Sequence, residues 1–361
     1  MFVRIQLIFG IFLMNTAIVP AAELQEVASF PDKQITGVGV SPTSGRIFVN
    51  FPYWSDDHSI SVAEIVNGQP KAFPNDEWNK AGPADSHFIC VQSVVVDDLD
   101  NLWVLDPAAP KMQEIVKGGP KLVKIDLATN QVLQTIPFGE DVAPKKSYLN
   151  DVRIDTRTNT AFITESGRGA IIVVDLKSGK ARRLLDGHPS TQPEEDVKLV
   201  VDGKALIDQQ KKTPPQIASD GIALDAKNGY LYYHALTGHT LYRIKTSFLR
   251  DEKLSKAELE SKVENVGRTS ASDGMLEGQD GSVYLTDLEN SAIARWDPAN
   301  KRVEQIIADK RLLWPDTLSW GPKGEMYVTA SQIENMPRFN KGKSTRTEPY
   351  KLWKIIGIGR E

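Results

Sequence analysis

The chain has 361 residues, of which 40% are apolar and 25% charged, and its net charge is −4 with a single cysteine. Length and apolar share suffice for one large buried core. No basic cluster stands out, which argues against nucleic acid as a partner, and one cysteine excludes an intramolecular disulfide.

Residues 1–22 read as a secretory signal peptide. Arg4 supplies a positive charge, Ile5 to Val19 an apolar run, and Val19-Pro20-Ala21-Ala22 a small-residue cleavage site. Asn15 and Thr16 interrupt the run, which is too short for a comfortable membrane span. The expectation is a secreted or periplasmic protein with no membrane span after cleavage; an uncleaved anchor is the alternative.

From there one unit recurs: a short strand, a tight turn and a returning strand. Leu24 to Phe30 precedes it and alternates as an edge or closing strand would. The hairpins then run Gly37 to Asn50, Gln92 to Asp106, Asn150 to Glu165, Ser219 to His234, Ser272 to Asp287 and Pro315 to Thr329. The best-formed copy opens on Ser272-Asp273-Gly274, turns on Gln279-Asp280-Gly281 and returns to Asp287.

Outer strands follow most hairpins, such as Lys121 to Asp126 and Gln131 to Ile136, or Ala292 to Trp296 and Val303 to Ile307. Residues 74–87 and 332–349 are polar connections. Residues 187–217, with Pro189, Pro193, Pro214 and Pro215, break the period and carry their own hairpin around Asp202-Gly203: an inserted flap. Lys253 to Val263 is the one plausible helix. Cys90, inside Phe88-Ile89-Cys90-Val91, reads as buried filler. Units of about forty to fifty residues with four short strands each are the signature of propeller blades. The expected fold is therefore all-β: a six-bladed β-propeller of four-stranded antiparallel blades around a central channel. It forms one domain over residues 23–361, with Leu24 to Phe30 closing the last blade.

Several of these stretches carry a resemblance. Leu102-Trp-Val-Leu-Asp106, Leu241-Tyr-Arg-Ile244, Ser272-Asp-Gly-Met275, Asp287-Leu-Glu-Asn-Ser-Ala-Ile293 and Trp314-Pro-Asp316, in this order, resemble the major royal jelly/Yellow protein family. The resemblance implies a secreted six-bladed propeller whose channel binds small molecules, with dopachrome conversion and amine binding linked to insect members. Insect members commonly carry disulfides; this chain departs from them and looks bacterial. A more distant similarity is to the regucalcin/gluconolactonase propellers, which hold a divalent cation by oxygen ligands. Asn150, Asp220 and Asp273 stand at the matching strand starts, so the resemblance implies Ca²⁺ or another divalent cation there. The first-blade glutamate of those enzymes has no counterpart near Thr36-Gly37.

In a propeller the first strand of each blade lines the channel, and the second strand ends at the face where the first begins. Gln92 with Asp106, Asn150 with Glu165, Asp220 with His234, Asp273 with Asp287, and Asp316 with Thr329 are therefore expected to converge on one mouth. Crowded like charges call for a cation, an amine ligand or raised pKa values. The ligand-binding candidates are thus Gln92, Asp106, Asn150, Glu165, Asp220, His234, Asp273, Asp287, Trp314 and Asp316. Asp-Gly and Asn-Asp starts that merely bond nearby backbone amides are the structural alternative. His234 is read as a rim or structural residue first and a general base second. Trp103 and Trp320 are read as packing between blades, Trp314 as a ligand contact. The reading is a monomer that binds a small polar or aromatic molecule without turnover. The alternative is a metal-dependent lactonase or dopachrome-type tautomerase, with Asp220, His234 and Asp273 as catalytic candidates.

Overall fold

The structure, a computed structural model, describes residues 22–54 and 59–358; the expected signal segment lies outside them except for Ala22. The described strands form six four-stranded antiparallel sheets plus one small two-stranded sheet. Each four-stranded sheet is one blade, and their first strands start at Val38, Ser93, Leu149, Ser219, Met275 and Pro315. Five blades are built from consecutive strands. The sixth takes Pro315–Trp320, Met326–Ala330 and Tyr350–Ile356 from the end of the chain and Glu23–Phe30 from its beginning. That seam is antiparallel, from Glu23 opposite Ile356 to Phe30 opposite Tyr350.

The local reason for the repeat is turn chemistry. In every blade the turn between the first two strands contains a residue at positive φ: Asp100 at 61°, Asn159 at 51°, and glycine at 45, 229, 281 and 324. Glycine, Asn and Asp are the residues that tolerate this conformation, so each hairpin's turn is specified by its own local sequence.

Alternating side chains then fill the six junctions between blades. Trp103, Leu122, Val152 and Ile163 join the second blade to the third. Phe162, Leu224 and Tyr233 join the third to the fourth. Phe30, Val38, Phe51 and Tyr327 close the ring between sixth and first. Each such side chain contributes about 1.5–3 kcal/mol on burial. Trp103 and Trp320 belong to these junctions and each donates its indole N–H inside them, to Asp97 Oδ2 at 2.8 Å and to the Glu277 carbonyl at 2.8 Å.

The expected helix over 253–263 is corrected. A short helix Thr246–Arg250 precedes it, Lys256–Glu260 forms the second, and Glu264–Arg268 is the fourth strand of its blade. Ser255 and Glu258 close a capping box that starts the second helix late, and a polar strand holding Gly267 hides among charged residues. The 74–87 connection also contains a one-turn helix, Asp76–Asn79, capped by Asn75. In the 187–217 insertion the hairpin pairs only Val200–Val201 with Lys204–Ala205.

Candidate functional site

In the fourth and fifth blades the starts of the first strands approach their neighbours closely because glycine follows the acid. A methyl group at Gly221 would sit 2.5 Å from the Asp273 carbonyl, and one at Gly274 would overlap the Asp316 carbonyl. Only a missing Cβ lets successive first strands come together at this height. Hydroxyls on the second strands fix the same level. Thr164 Oγ1 accepts from Asp151 N at 3.2 Å and donates to the Asp220 carbonyl. Thr286 Oγ1 accepts from Asp273 N at 3.0 Å and Gly274 N at 3.1 Å. Thr329 Oγ1 accepts from Thr317 N at 3.0 Å and donates to the Thr36 carbonyl at 2.6 Å, across the seam from last blade to first.

These constraints gather four carboxylates and one amide at the head of the channel. Asn150 donates Nδ2–H to Asp220 Oδ1. Trp314 Nε1 donates to Asp273 Oδ2 at 2.7 Å. Asp151, Asp220, Asp273 and Asp316 are each at most 7% exposed. Burial raises all four above the ordinary carboxylate range. Asp220 is pushed well up by burial and then by the Asp273 and Asp151 charges. Asp316 is raised by the same causes. Asp273 reaches about 6, burial outweighing the bonds from Trp314 and Asp220. Asp151 is also raised by burial, against the pull of the Arg153 guanidinium. Four acids thus share one low-dielectric space in which full ionisation is disfavoured, and an incoming cation would favour their charged forms.

The other proposed members of the ring stand apart from this set. Asp106 accepts from Ile89 N at 2.7 Å, Cys90 N at 3.0 Å and Ala108 N at 2.8 Å, and it pairs with buried Lys121 at 2.8 Å. Glu165 accepts from Tyr148 N at 2.7 Å and Gly167 N at 2.7 Å and is paired with Arg183. Asp287 accepts from Asn290 N at 3.2 Å and Nδ2 at 2.8 Å. All three are bound up in local loops. Gln92 Oε1 accepts from Tyr148 Oη at 2.8 Å, which in turn accepts from Trp54 Nε1 at 2.7 Å. His234 is fully buried, with Nδ1 2.6 Å from the Ala235 carbonyl and Nε2 3.1 Å from Thr269 Oγ1. The carbonyl assigns the proton to Nδ1, and burial lowers the imidazole pKa to about 4.

Trp314 is 1% exposed and at φ 52°, an outlier conformation for a bulky residue. Its carbonyl accepts from Ser331 N at 3.1 Å and its ring packs with Leu199, Val201, Leu206, Leu236 and Phe339. The 187–217 insertion and the 331–349 segment therefore cover the acid set together. Gln209 N donates to the Arg338 carbonyl at 2.9 Å, Arg338 Nε to Asp208 Oδ2 at 2.8 Å, and Val200 N to Glu289 Oε1 at 3.0 Å.

Sequence reasoning missed Asp151 and Arg153 as channel groups, and Thr164 and Thr286 as positioning groups. The available signal is the recurrence of Thr at one register, in Ile-Thr-Glu, Leu-Thr-Asp and Val-Thr-Ala.

Comparison with known proteins agrees with this architecture. Major royal jelly protein 1 of Apis mellifera is 22% identical over 250 residues, covering 66% of this chain and 56% of the bee protein. The chain therefore matches only about half the length of such relatives. Among solved structures, a gluconolactonase of Xanthomonas campestris superposes with a TM-score of 0.56 at 10% identity, covering 92% of this chain and 89% of that one. The calcium-binding protein regucalcin of Agrobacterium tumefaciens gives 0.55 at 13%, covering 93% and 95%. At such identities the likeness is one of fold. The sequence model described as Major royal jelly protein matches residues 89–347, and this chain belongs to that family.

Proposed function

We propose that the protein is an exported binding propeller that takes a small cationic molecule, an amine carried on an aromatic or polar body, onto Asp220, Asp273 and Asp316. The observation that carries this reading is the set of raised, buried carboxylates in which, among the described residues, Asn150 donates to Asp220 and Trp314 to Asp273 and neither donor carries a charge. An ammonium group donates three hydrogen bonds and brings the charge that lets these acids ionise. Trp314 and the flap residues packed on it would close over the body of the ligand and exclude water. Export rests on the pattern of residues 1–22.

A divalent cation on Asn150, Asp220 and Asp273 is the second reading, favoured by an all-oxygen donor set suited to Ca²⁺ or Mg²⁺. Among the described residues, no three His, Cys, Asp or Glu side chains stand within metal-holding range of one another, and Asn150 turns its amide N–H toward Asp220. Such an ion would require the Asn150 amide to reverse and the carboxylates to close in. When bound it would polarise a substrate carbonyl, as in metal-assisted hydrolysis.

Titration calorimetry with tyramine and, separately, with CaCl₂ distinguishes the two. Saturable tyramine heat, weakened at least about tenfold in Asp220→Asn and Asp273→Asn with tyramine recovered unchanged, supports the amine reading. Heat from calcium alone, lost in the same variants, replaces it with the second. No heat from either probe overturns both.

A further inference from the structure

The two segments that cover the acid set meet beside a carboxyl group. The 331–349 segment lays Ile333, Met336 and Phe339 against Leu199, Val201 and Leu206 of the flap. Glu334 stands between two of these anchors, on the short turn Ile333–Asn335. Its Oε1 accepts from Asn335 Nδ2 at 2.9 Å, whereas its Oε2 is buried and has no hydrogen-bond partner among the described residues. A buried carboxylate oxygen without a donor is costly when charged and far less so when protonated. Asp202, which follows Val201 at the turn of the flap, adds a negative charge from the facing segment. The Tyr350 phenol faces Glu334 from the last strand and brings no positive charge. The two arginines of the 331–349 segment are committed elsewhere. Arg338 Nε donates to Asp208 Oδ2 at 2.8 Å, and Arg346 donates to the Glu348 and Pro31 carbonyls at 2.9 and 2.8 Å. Lys204, Lys341 and Lys343 are exposed to solvent.

We infer that Glu334 is a proton-operated latch on the cover of the channel. Protonated, it lets the 331–349 segment lie closed on the flap; ionised and facing Asp202, it frees the flap from the acid set. Burial, with the Asp202 charge as the lesser cause, lifts this carboxyl from 4.5 to about 7. The sign follows. Closure keeps a proton that the opened cover releases, so its advantage is complete below about pH 4.5 and lost as pH rises through about 7. Between pH 6 and 8 one such group weakens closure about tenfold. The latch governs access to the acids whatever they hold, and it does not depend on the amine reading.

Amide exchange of the ligand-free protein, corrected for its intrinsic pH dependence, reads the latch. Protection at Val200, Leu206 and Gln209, whose amides bond Glu289, Leu199 and Arg338, is expected to fall about tenfold between pH 6 and 8. Glu334→Gln keeps the shape without the charge and should abolish the fall. Asp202→Asn should move its midpoint to lower pH. Constant protection in the wild type, or an unmoved midpoint in Asp202→Asn, would overturn the latch. So would a fall that persists in Glu334→Gln, which would then belong to the His239–Glu289 pair at 3.0 Å or to Asp273 beneath Trp314. Should Glu334→Gln fail to fold, carboxyl NMR of the wild type decides: a Glu334 midpoint near 7 supports the latch, and one in the ordinary carboxylate range overturns it.

Discussion

Asp273 gives stability a pH dependence of definite sign. Burial lifts its folded pKa from 3.8 to about 6, so between these values the native state keeps a proton that the unfolded chain has released. The stability this proton confers is complete below about pH 4 and lost as pH rises through about 6. Asp220 and Asp316, also raised, act with the same sign. Urea unfolding at pH 4.5 and 7.5 is expected to show a loss on the order of 1–3 kcal/mol across that window, and a smaller loss in Asp273→Asn. A wild-type profile that rises with pH would contradict the account. Lys121 makes a different case. Its ammonium, 1% exposed, meets a fully buried Asp106 carboxylate, so Lys121→Met strands a charge and should cost roughly 3–5 kcal/mol in urea unfolding. Restoring much of that loss with Asp106→Asn in the same chain is the diagnostic result. Cys90, its thiol pushed up to about 12 by burial and by the Asp106 charge, should resist a thiol reagent at pH 8 until the protein is unfolded.

At the scale of elements, the flap decides how closed the acid set is. Leu199, fully buried, packs in one cluster with Trp314. Leu199→Ala should loosen the 197–206 stretch, seen as faster amide exchange there with the blades unchanged, and should lower the Asp273 pKa as its burial lessens. Unchanged exchange would mean the flap is held by its polar ties to Arg338 and Glu289 instead. The elements themselves are legible in the sequence to very different degrees. Six hairpins can be read because each states its turn residue and its alternation locally. The height at which Asn150, Asp220, Asp273 and Asp316 stand follows from those hairpins alone. The engagement of Asp106, Glu165 and Asp287 does not, because backbone amides of the following loops take up these carboxylates and a loop path leaves no periodic trace. Arg153 is hidden for a related reason: an arginine inside an alternating strand reads as a solvent-facing residue until the ring closes around it.

For the whole molecule, ring closure is the critical event. Six junction clusters hold the blades face to face, and the one between last and first depends on Glu23–Phe30 lying beside Tyr350–Ile356. A chain beginning at residue 31 should lose the outer strand of the last blade together with the buried Leu24, Ala28 and Phe30, and should melt at lower temperature with a broadened transition. A melting curve identical to that of the chain beginning at residue 22 would show the seam to be dispensable. The same seam has a mechanical meaning. Residues 23 and 356 are directly opposed across it, so opposite pulls applied at the two ends act across the strands rather than along them. The ladder would then open bond by bond, like a zipper, instead of resisting as a block in shear. Stretched between its ends, the propeller should first release its outermost eight-residue strand at low force and unravel the remaining blades only afterwards.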